Sequence, residues 1–241
     1  MRIDTALLNL KTNKSIKQDS AKLRGYLANT FKEYSILHNH FEDDKYFYSY
    51  PLIQYKIIDG QASILGIEEG ATLLKDLSSE ITELRLSDSY YKVEDSVLTN
   101  REYNVSTSNK ELHFEFLTPW LALNPKNHAK YKQIKSWKDK KLFLNKILIG
   151  NILSMCKGLG IIVDRRLYVK SRLDAVNVNY KGIPMLGFTG EFKVRFNLPD
   201  YCGLGKGVSQ GFGTVKRIFD EDNTDSNNQN SEVEEGIVGL D

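Results

Sequence analysis

Gly203-Leu204-Gly205-Lys206-Gly207-Val208-Ser209-Gln210-Gly211-Phe212-Gly213 is the stretch on which the reading of this chain turns. Two Gly-apolar-Gly units enclose five residues, one of them a lysine. Five glycines in eleven residues exclude a helix interior and open backbone angles closed to other residues. Leu204 and Phe212 are apolar pegs that should pack the loop down. With few side chains in the way, successive N–H groups of such a loop can form an anion-binding concavity, and Lys206 sets a charge beside it. The stretch therefore suits a phosphate chain. Two common phosphate motifs do not fit it. A P-loop needs Gly-Lys-Ser/Thr, whereas Gly205-Lys206 runs into Gly207. A dinucleotide fingerprint needs a sixth-place glycine and a following helix, whereas that place is Val208 and no helical pattern follows. A Gly-rich hairpin turn is the plainer alternative.

Upstream, the chain divides into two halves. Arg2 to Leu10 reads as a strand, and Ser15 to Tyr34 carries Leu23, Leu27 and Phe31 at helical spacing. Tyr50 to Ile58 is strand-like, Asp59-Gly60 marks a hairpin, and Ala62 to Ile67 returns. Glu68 to Leu77 reads as a shorter helix, followed by strands around Ile81–Leu86 and Val97–Val105. The order β-α-β-β-α-β is that of a ferredoxin-like unit. After Ser106-Thr107-Ser108-Asn109 the pattern restarts with a strand at Glu111–Leu117 and an apolar helix at Leu142–Lys157. Strands are expected at Gly160–Lys170, Asp174–Asn179, Leu186–Leu198 and Gly213–Ile218, with Asn124–Lys141 as an insertion. Periodicity alone supports an α+β chain of two related halves. The expected boundaries are an N-terminal domain over 1–106, a C-terminal domain over 110–219 and an acidic, disordered tail over 220–241.

The net charge of +2 conceals an asymmetry. Eight acidic residues and no basic one lie beyond Phe219; without them 33 basic residues face 23 acidic ones, a surplus of about ten. Such a body favours a polyanionic partner, while the tail lacks the apolar content to fold. Two cysteines, Cys156 and Cys202, form no disulfide framework. No secretory signal pattern and no apolar stretch of membrane-spanning length are present, so a cytoplasmic protein with no membrane partner is expected.

The sharpest candidates for chemistry are His38 and His40, half of the four histidines within three residues. In extended chain, positions two apart point the same way, roughly 6.5 Å apart, which can place one imidazole at each end of a phosphodiester. RNA carries its own nucleophile, the 2′-OH, so a protein need only move two protons and offset charge on the phosphorane. Histidine titrates nearest neutral pH and suits that work. Glu42, Asp43 and Asp44 follow, which leaves open a His-x-His plus carboxylate metal site, although adjacent loop acids are more often solvated. Lys126 to Lys141 holds seven lysines, Lys130 and Lys135 among them, against one acid, interleaved with Tyr131 and Trp137. That pattern reads as an RNA track or as a solvated helix face. Arg165, Arg166, Lys170 and Arg172 form a second basic cluster, and arginine both stacks on bases and pairs phosphates bidentately. His113, alternating with Leu112 and Phe114, reads as structural.

The glycine stretch resembles the signature loop of the repeat-associated mysterious protein (RAMP) superfamily, the RNA-binding proteins of CRISPR systems. Their loop has Gly-apolar-Gly, five residues with a Lys or Arg, then Gly-apolar-Gly, near the C-terminus. The resemblance is strongest to the metal-independent endoribonucleases that cut CRISPR repeat transcripts, and residues 110–218 carry most of it. It implies two tandem ferredoxin-like (RRM-like) domains, no cofactor, and an RNA partner with a CRISPR effector complex beyond it. In that branch the catalytic histidine lies at or just after the first helix, where His38 and His40 stand, and a nearby tyrosine and lysine assist. Lys45 or Tyr48 is favoured among Lys32, Tyr34, Lys45, Tyr46 and Tyr48. RNA contacts fall to Gly203, Gly205, Lys206, Gly207, Gly211 and Gly213, with Lys130, Lys135, Arg165, Arg166 and Arg172. The alternatives are a non-cutting RNA-binding scaffold of the same superfamily and a metal-dependent nuclease.

Overall fold

The computed structural model describes residues 1–38 and 50–219. Its first half runs β1 (Arg2–Thr12), α1 (Ser20–Thr30), α2 (Ser35–His38), β2 (Ile53–Ile58), β3 (Gln61–Ile67), α3 (Glu69–Leu77), β4 (Glu83–Leu86) and β5 (Ser89–Asn104). The strands pair antiparallel in the order β2-β3-β1-β5-β4. With β4 set aside as an added edge, this is the ferredoxin-like order. Leu23 and Leu27 of α1 and Leu73, Leu74 and Leu77 of α3 bury one face of the sheet against Ala6, Leu8 and Leu10. The β2–β3 turn forms because Asp59 and Gly60 both take the left-handed conformation, at φ +51° and +76°, the requirement of a tight hairpin. Helix α1 starts at Ser20 rather than Ser15. Asp19 caps it by accepting from the Lys22 amide at 3.0 Å, and Ile16 is strapped to the hairpin by its amide to the Gly60 carbonyl at 2.8 Å.

The second half repeats the plan with β6 (Thr107–Trp120), α4 (Pro125–Gln133), α5 (Trp137–Gly158), β7 (Val169–Tyr180), β8 (Ile183–Phe196) and β9 (Val215–Ile218). Its sheet order, β7-β8-β6-β9, matches β2-β3-β1-β5 position for position. Besides the edge strand β4, the second helix of the unit does not repeat. Between β3 and β4 the first half inserts α3, whereas between β8 and β9 the second half has only the glycine stretch, with a single 3-10 turn at Val208–Gln210. The glycine loop thus stands where a ferredoxin-like unit would carry its second helix.

Further expectations change at the level of elements. Gly160–Lys170 is not a strand: β7 begins at Val169, and the chain before it is tied to the end of α5 through the Ile161 amide and the Cys156 carbonyl at 2.7 Å. Helix α5 begins five residues before Leu142, because Ser136 caps it by accepting from the Asp139 amide at 3.4 Å. Its first turns are lysine-rich and carry no apolar period to read. Strand β6 begins at Thr107, so Val105 and Ser106 alone separate the two sheets.

The halves are not independent cores. The larger cluster takes Ile3, Tyr50, Leu65 and Ile67 from the first half and packs them with Trp120, Leu148, Phe192 and Leu204 of the second. Across this junction runs a buried polar seam. The Gly203 amide donates to Gln54 Oε1 at 3.0 Å, and the Gly203 carbonyl accepts from the Tyr50 hydroxyl at 2.8 Å. Gln54 Oε1 also accepts from Lys56 Nζ at 3.2 Å, while its Nε2 donates to the Pro51 carbonyl at 3.1 Å. Lys56 is fully buried, and burial brings its amine down to about 7. Burial likewise pushes up the Tyr50 hydroxyl and the Cys202 thiol, the latter to about 12, so both stay protonated beside it.

The seam has a measurable sign. Unfolded Lys56 holds its proton to about pH 10.5 and the folded residue releases it near 7, so the unfolded state binds more protons between those values and stability rises with pH. One pKa unit being 1.36 kcal/mol, wild type should gain roughly 1.5 kcal/mol on Lys56→Met between pH 7 and pH 8.5 in urea unfolding. Parallel pH profiles for the two proteins would contradict the buried amine.

Candidate functional site

The glycine stretch is pinned at both ends and open in its middle. The Leu204 amide donates to the Gly213 carbonyl at 2.9 Å, the Gly213 amide to the Pro119 carbonyl at 2.9 Å, and the Lys206 amide to the Leu121 carbonyl at 3.1 Å. Gly211 has its amide on the Val208 carbonyl and its carbonyl held by the Thr118 and Thr214 hydroxyls at 2.6 and 3.1 Å. It also sits at φ +81°, where a Cβ would come within 2.7 Å of the Tyr55 carbonyl and 2.6 Å of Ser20 Oγ, so only glycine lets the loop lie against β2 and α1. By contrast, the amides of Gly205, Gly207, Val208 and Ser209 have no acceptor among the described residues. The amides of Gly203, Gly211 and Gly213, like that of Lys206, are thus spent on architecture, and the four without acceptors are not. Cations stand on both flanks. Arg24 of α1 donates from Nη1 to Ser209 Oγ at 3.3 Å, and Lys206 holds its ammonium 4.9 Å from the centroid of Tyr180.

Strand β2 also frames the histidine segment. Tyr55 donates its hydroxyl to the Leu37 carbonyl at 3.2 Å, fixing the residue before His38, and Tyr50 reaches Gly203 where the chain returns. His38 ends α2; its side chain, together with His40, Lys45, Tyr48 and the acids Glu42, Asp43 and Asp44, lies outside the described residues. Among the described residues no group of three His, Cys, Asp or Glu comes together in a way that could hold a metal.

The basic residues separate into two regions. Lys132, Lys140 and Lys206 line one open cleft of about 690 Å³ between α4, the start of α5 and the β7–β8 hairpin. Lys130 and Lys135 are exposed on and just after α4, next to that lining. Arg165 and Arg166 are elsewhere. Arg165 donates to Asn109 Oδ1 at 3.0 Å, at the opposite end of β6 from Leu121, up to roughly 40 Å away at the rise of a strand. Arg166 lies over Tyr168 at 5.5 Å. Arg172 is intermediate, exposed on β7 across from Glu191 of β8. His113 pairs with the same Glu191 at 3.0 Å, in keeping with a structural residue.

Four residues that hold or flank the loop, Tyr50, Gln54, Lys56 and Arg24, carry no motif. A signal for two of them existed: Gln54 and Lys56 are polar residues two apart in an otherwise apolar strand, so they share a face that must find a polar partner.

No helix among the described residues is long and apolar enough to cross a membrane. The architecture can be set beside known proteins. A crystal structure of Cas6b superposes with a TM-score of 0.84 at 38% identity, over 90% of this chain and all of that one. A second, described as a CRISPR RNA processing endoribonuclease Cas6b, gives 0.72 at 35% identity over the same shares. An uncharacterized protein of Methanocaldococcus jannaschii is 40% identical over 141 residues, 57% of this chain and 94% of its own length. The family models for the Cas6b N-terminal and C-terminal domains match residues 1–104 and 106–218. With both models matched along nearly the whole folded body and the tandem ferredoxin-like architecture in place, the chain belongs to the Cas6b family of CRISPR RNA processing endoribonucleases.

Proposed function

We propose that this chain cuts CRISPR repeat RNA into guide RNAs without a metal ion, by attack of the substrate's own 2′-OH. The reading rests above all on one arrangement: β2 holds the residue before His38 through Tyr55 and, through Gln54, the glycine loop. The loop's open amides and the histidine segment therefore hang from the same strand. A phosphate lying on the amides of Gly205, Gly207, Val208 and Ser209, with Arg24 and Lys206 beside it, has its backbone passing that strand. One histidine of the pair His38 and His40 takes the 2′-OH proton; the oxygen attacks phosphorus, and the bond to the 5′-oxygen breaks. The other histidine protonates the departing oxygen. The ends left are a 2′,3′-cyclic phosphate and a 5′-OH. Lys45 or Tyr48 offsets charge on the five-coordinate phosphorus. Each proton transfer contributes about 10²–10⁴-fold. Lys130, Lys135 and Arg172 extend contact along the RNA, and Arg165 and Arg166 meet it only where a long repeat reaches the far end of β6.

His38→Ala and His40→Ala should each slow single-turnover cleavage by at least about 10²-fold while repeat affinity changes less than threefold. An unchanged rate constant in both would remove the histidines from the chemistry. Full cleavage by the purified chain in EDTA, with cyclic-phosphate ends, separates this reading from a metal-dependent nuclease, which would stop. It also excludes a non-cutting scaffold, which would bind and leave the RNA whole. If about five phosphates are contacted, log affinity should fall with log salt at a slope of roughly −3.5 on single strands. A slope near zero would mean that the phosphates are not what is held.

A further inference from the structure

We propose that the cleft between α4, the start of α5 and the β7–β8 hairpin is a pocket for one unpaired nucleotide of the bound RNA. The base lies on an apolar floor and the adjoining phosphate meets a lysine rim. This rests on the RNA-processing reading above and adds a selectivity site to it.

The cleft holds about 690 Å³, within the roughly 300–1,000 Å³ typical of small-ligand sites. Its floor is apolar, from Leu123, Tyr131, Met185 and Leu186, and its rim carries Lys132, Lys140 and Lys206 with no carboxylate anywhere in the lining. Two of the three lysines are held over rings. Lys140 Nζ sits 4.9 Å from the Tyr131 centroid, and Lys206 Nζ the same distance from that of Tyr180, contacts that hold a cation over a ring face. Tyr131 is in turn fixed edge-on against the buried Phe188, with centroids 5.6 Å apart. A paired stem presents phosphates outward and stacks its bases inside, so it gives an apolar floor nothing to cover. An unpaired nucleotide has both parts, an apolar π-face and a phosphate, and single-stranded RNA is held in this way, by aromatic platforms beside basic grooves. Continuity decides for RNA over an acidic peptide. Lys206 belongs at once to the cleft and to the glycine loop, whose Gly205 and Gly207 amides on either side of it lack acceptors among the described residues. A strand lying on the loop therefore enters the cleft without leaving the protein surface.

The test is an abasic scan. A repeat RNA blocked from cleavage by a 2′-deoxy nucleotide at the scissile position is made with one abasic site at each unpaired position in turn. Each RNA is bound to the full-length chain. One position should lose about tenfold in affinity, the scale of a single stacked base, and the same position should lose less than about threefold with Met185→Ala. Tyr131→Leu, which keeps an apolar group against Phe188, provides a second variant should the first unfold. A flat scan with RNA that binds tightly, or an equal loss in wild type and both variants, overturns the pocket while leaving the processing activity untouched. If the wild-type chain neither binds nor cuts repeat RNA, the processing reading fails and the pocket with it. Acylation of Lys132 and Lys140 should be slowed by RNA. If instead both are already protected in the free chain and become reactive when residues 220–241 are deleted, the cleft holds the chain's own acidic segment and the proposal is wrong.

Discussion

The side-chain amide of Gln54 joins the two halves of this protein, and the placement of its loop follows from it. Its oxygen accepts from the Gly203 amide and from Lys56, its nitrogen donates to Pro51, and the Tyr50 hydroxyl closes the figure on the Gly203 carbonyl. Buried polar networks hold only if every member is satisfied, and no buried side-chain nitrogen or oxygen among the described residues lacks a partner. The bonds therefore act as a directional latch within a junction whose bulk attraction comes from apolar packing. Apolar burial alone would leave the loop free to slide along β2; these bonds fix its register. Gly203 accepts the arrangement because a Cβ there would come within 2.6 Å of Val208.

From that latch follows the division of labour inside the glycine stretch. Residues at its two ends spend their amides on β6 and on one another, and between them the Gly205, Gly207, Val208 and Ser209 amides have no acceptor among the described residues. The second half gives up a helix to make this possible. A helix in place of the loop would direct its N–H groups along its own axis, and only its first turn would be open. The loop instead leaves four amides without an acceptor among the described residues, in the stretch flanked by Arg24 from the first half and Lys206 from the second. Both halves therefore frame the loop, the first through Arg24 and the second through Lys206.

Much of this was legible in the chain, and the exceptions have physical reasons. The Asp59-Gly60 hairpin, α3 and the apolar body of α5 were readable, because turn chemistry and apolar period are local. The start of α5 was not, since its first turns are lysines and the deciding signal was the Ser136 cap. The segment after α5 has the apolar content of a strand, yet it finds no neighbour to pair with until Val169. Ladder hydrogen bonds need a partner, and no local pattern reports one. How far the two basic clusters lie from each other was not readable either. Arg165 and Arg166 are close to the others in sequence terms, but β6 carries the two sets to opposite ends.

By itself the sequence determined the kind of surface this protein has: a basic body, a loop of glycines that no helix could absorb, and a histidine pair beside the first helix. Those features depend on residue type and spacing, which survive any arrangement of the halves. Tertiary structure decided which of the glycine amides remain open, that β2 serves loop and histidine segment together, and that a lysine-rimmed cleft adjoins the loop. Each of those depends on contacts between residues remote in the sequence, such as Gln54 with Gly203 or Leu121 with Lys206. Only the folded chain brings such pairs within bonding distance.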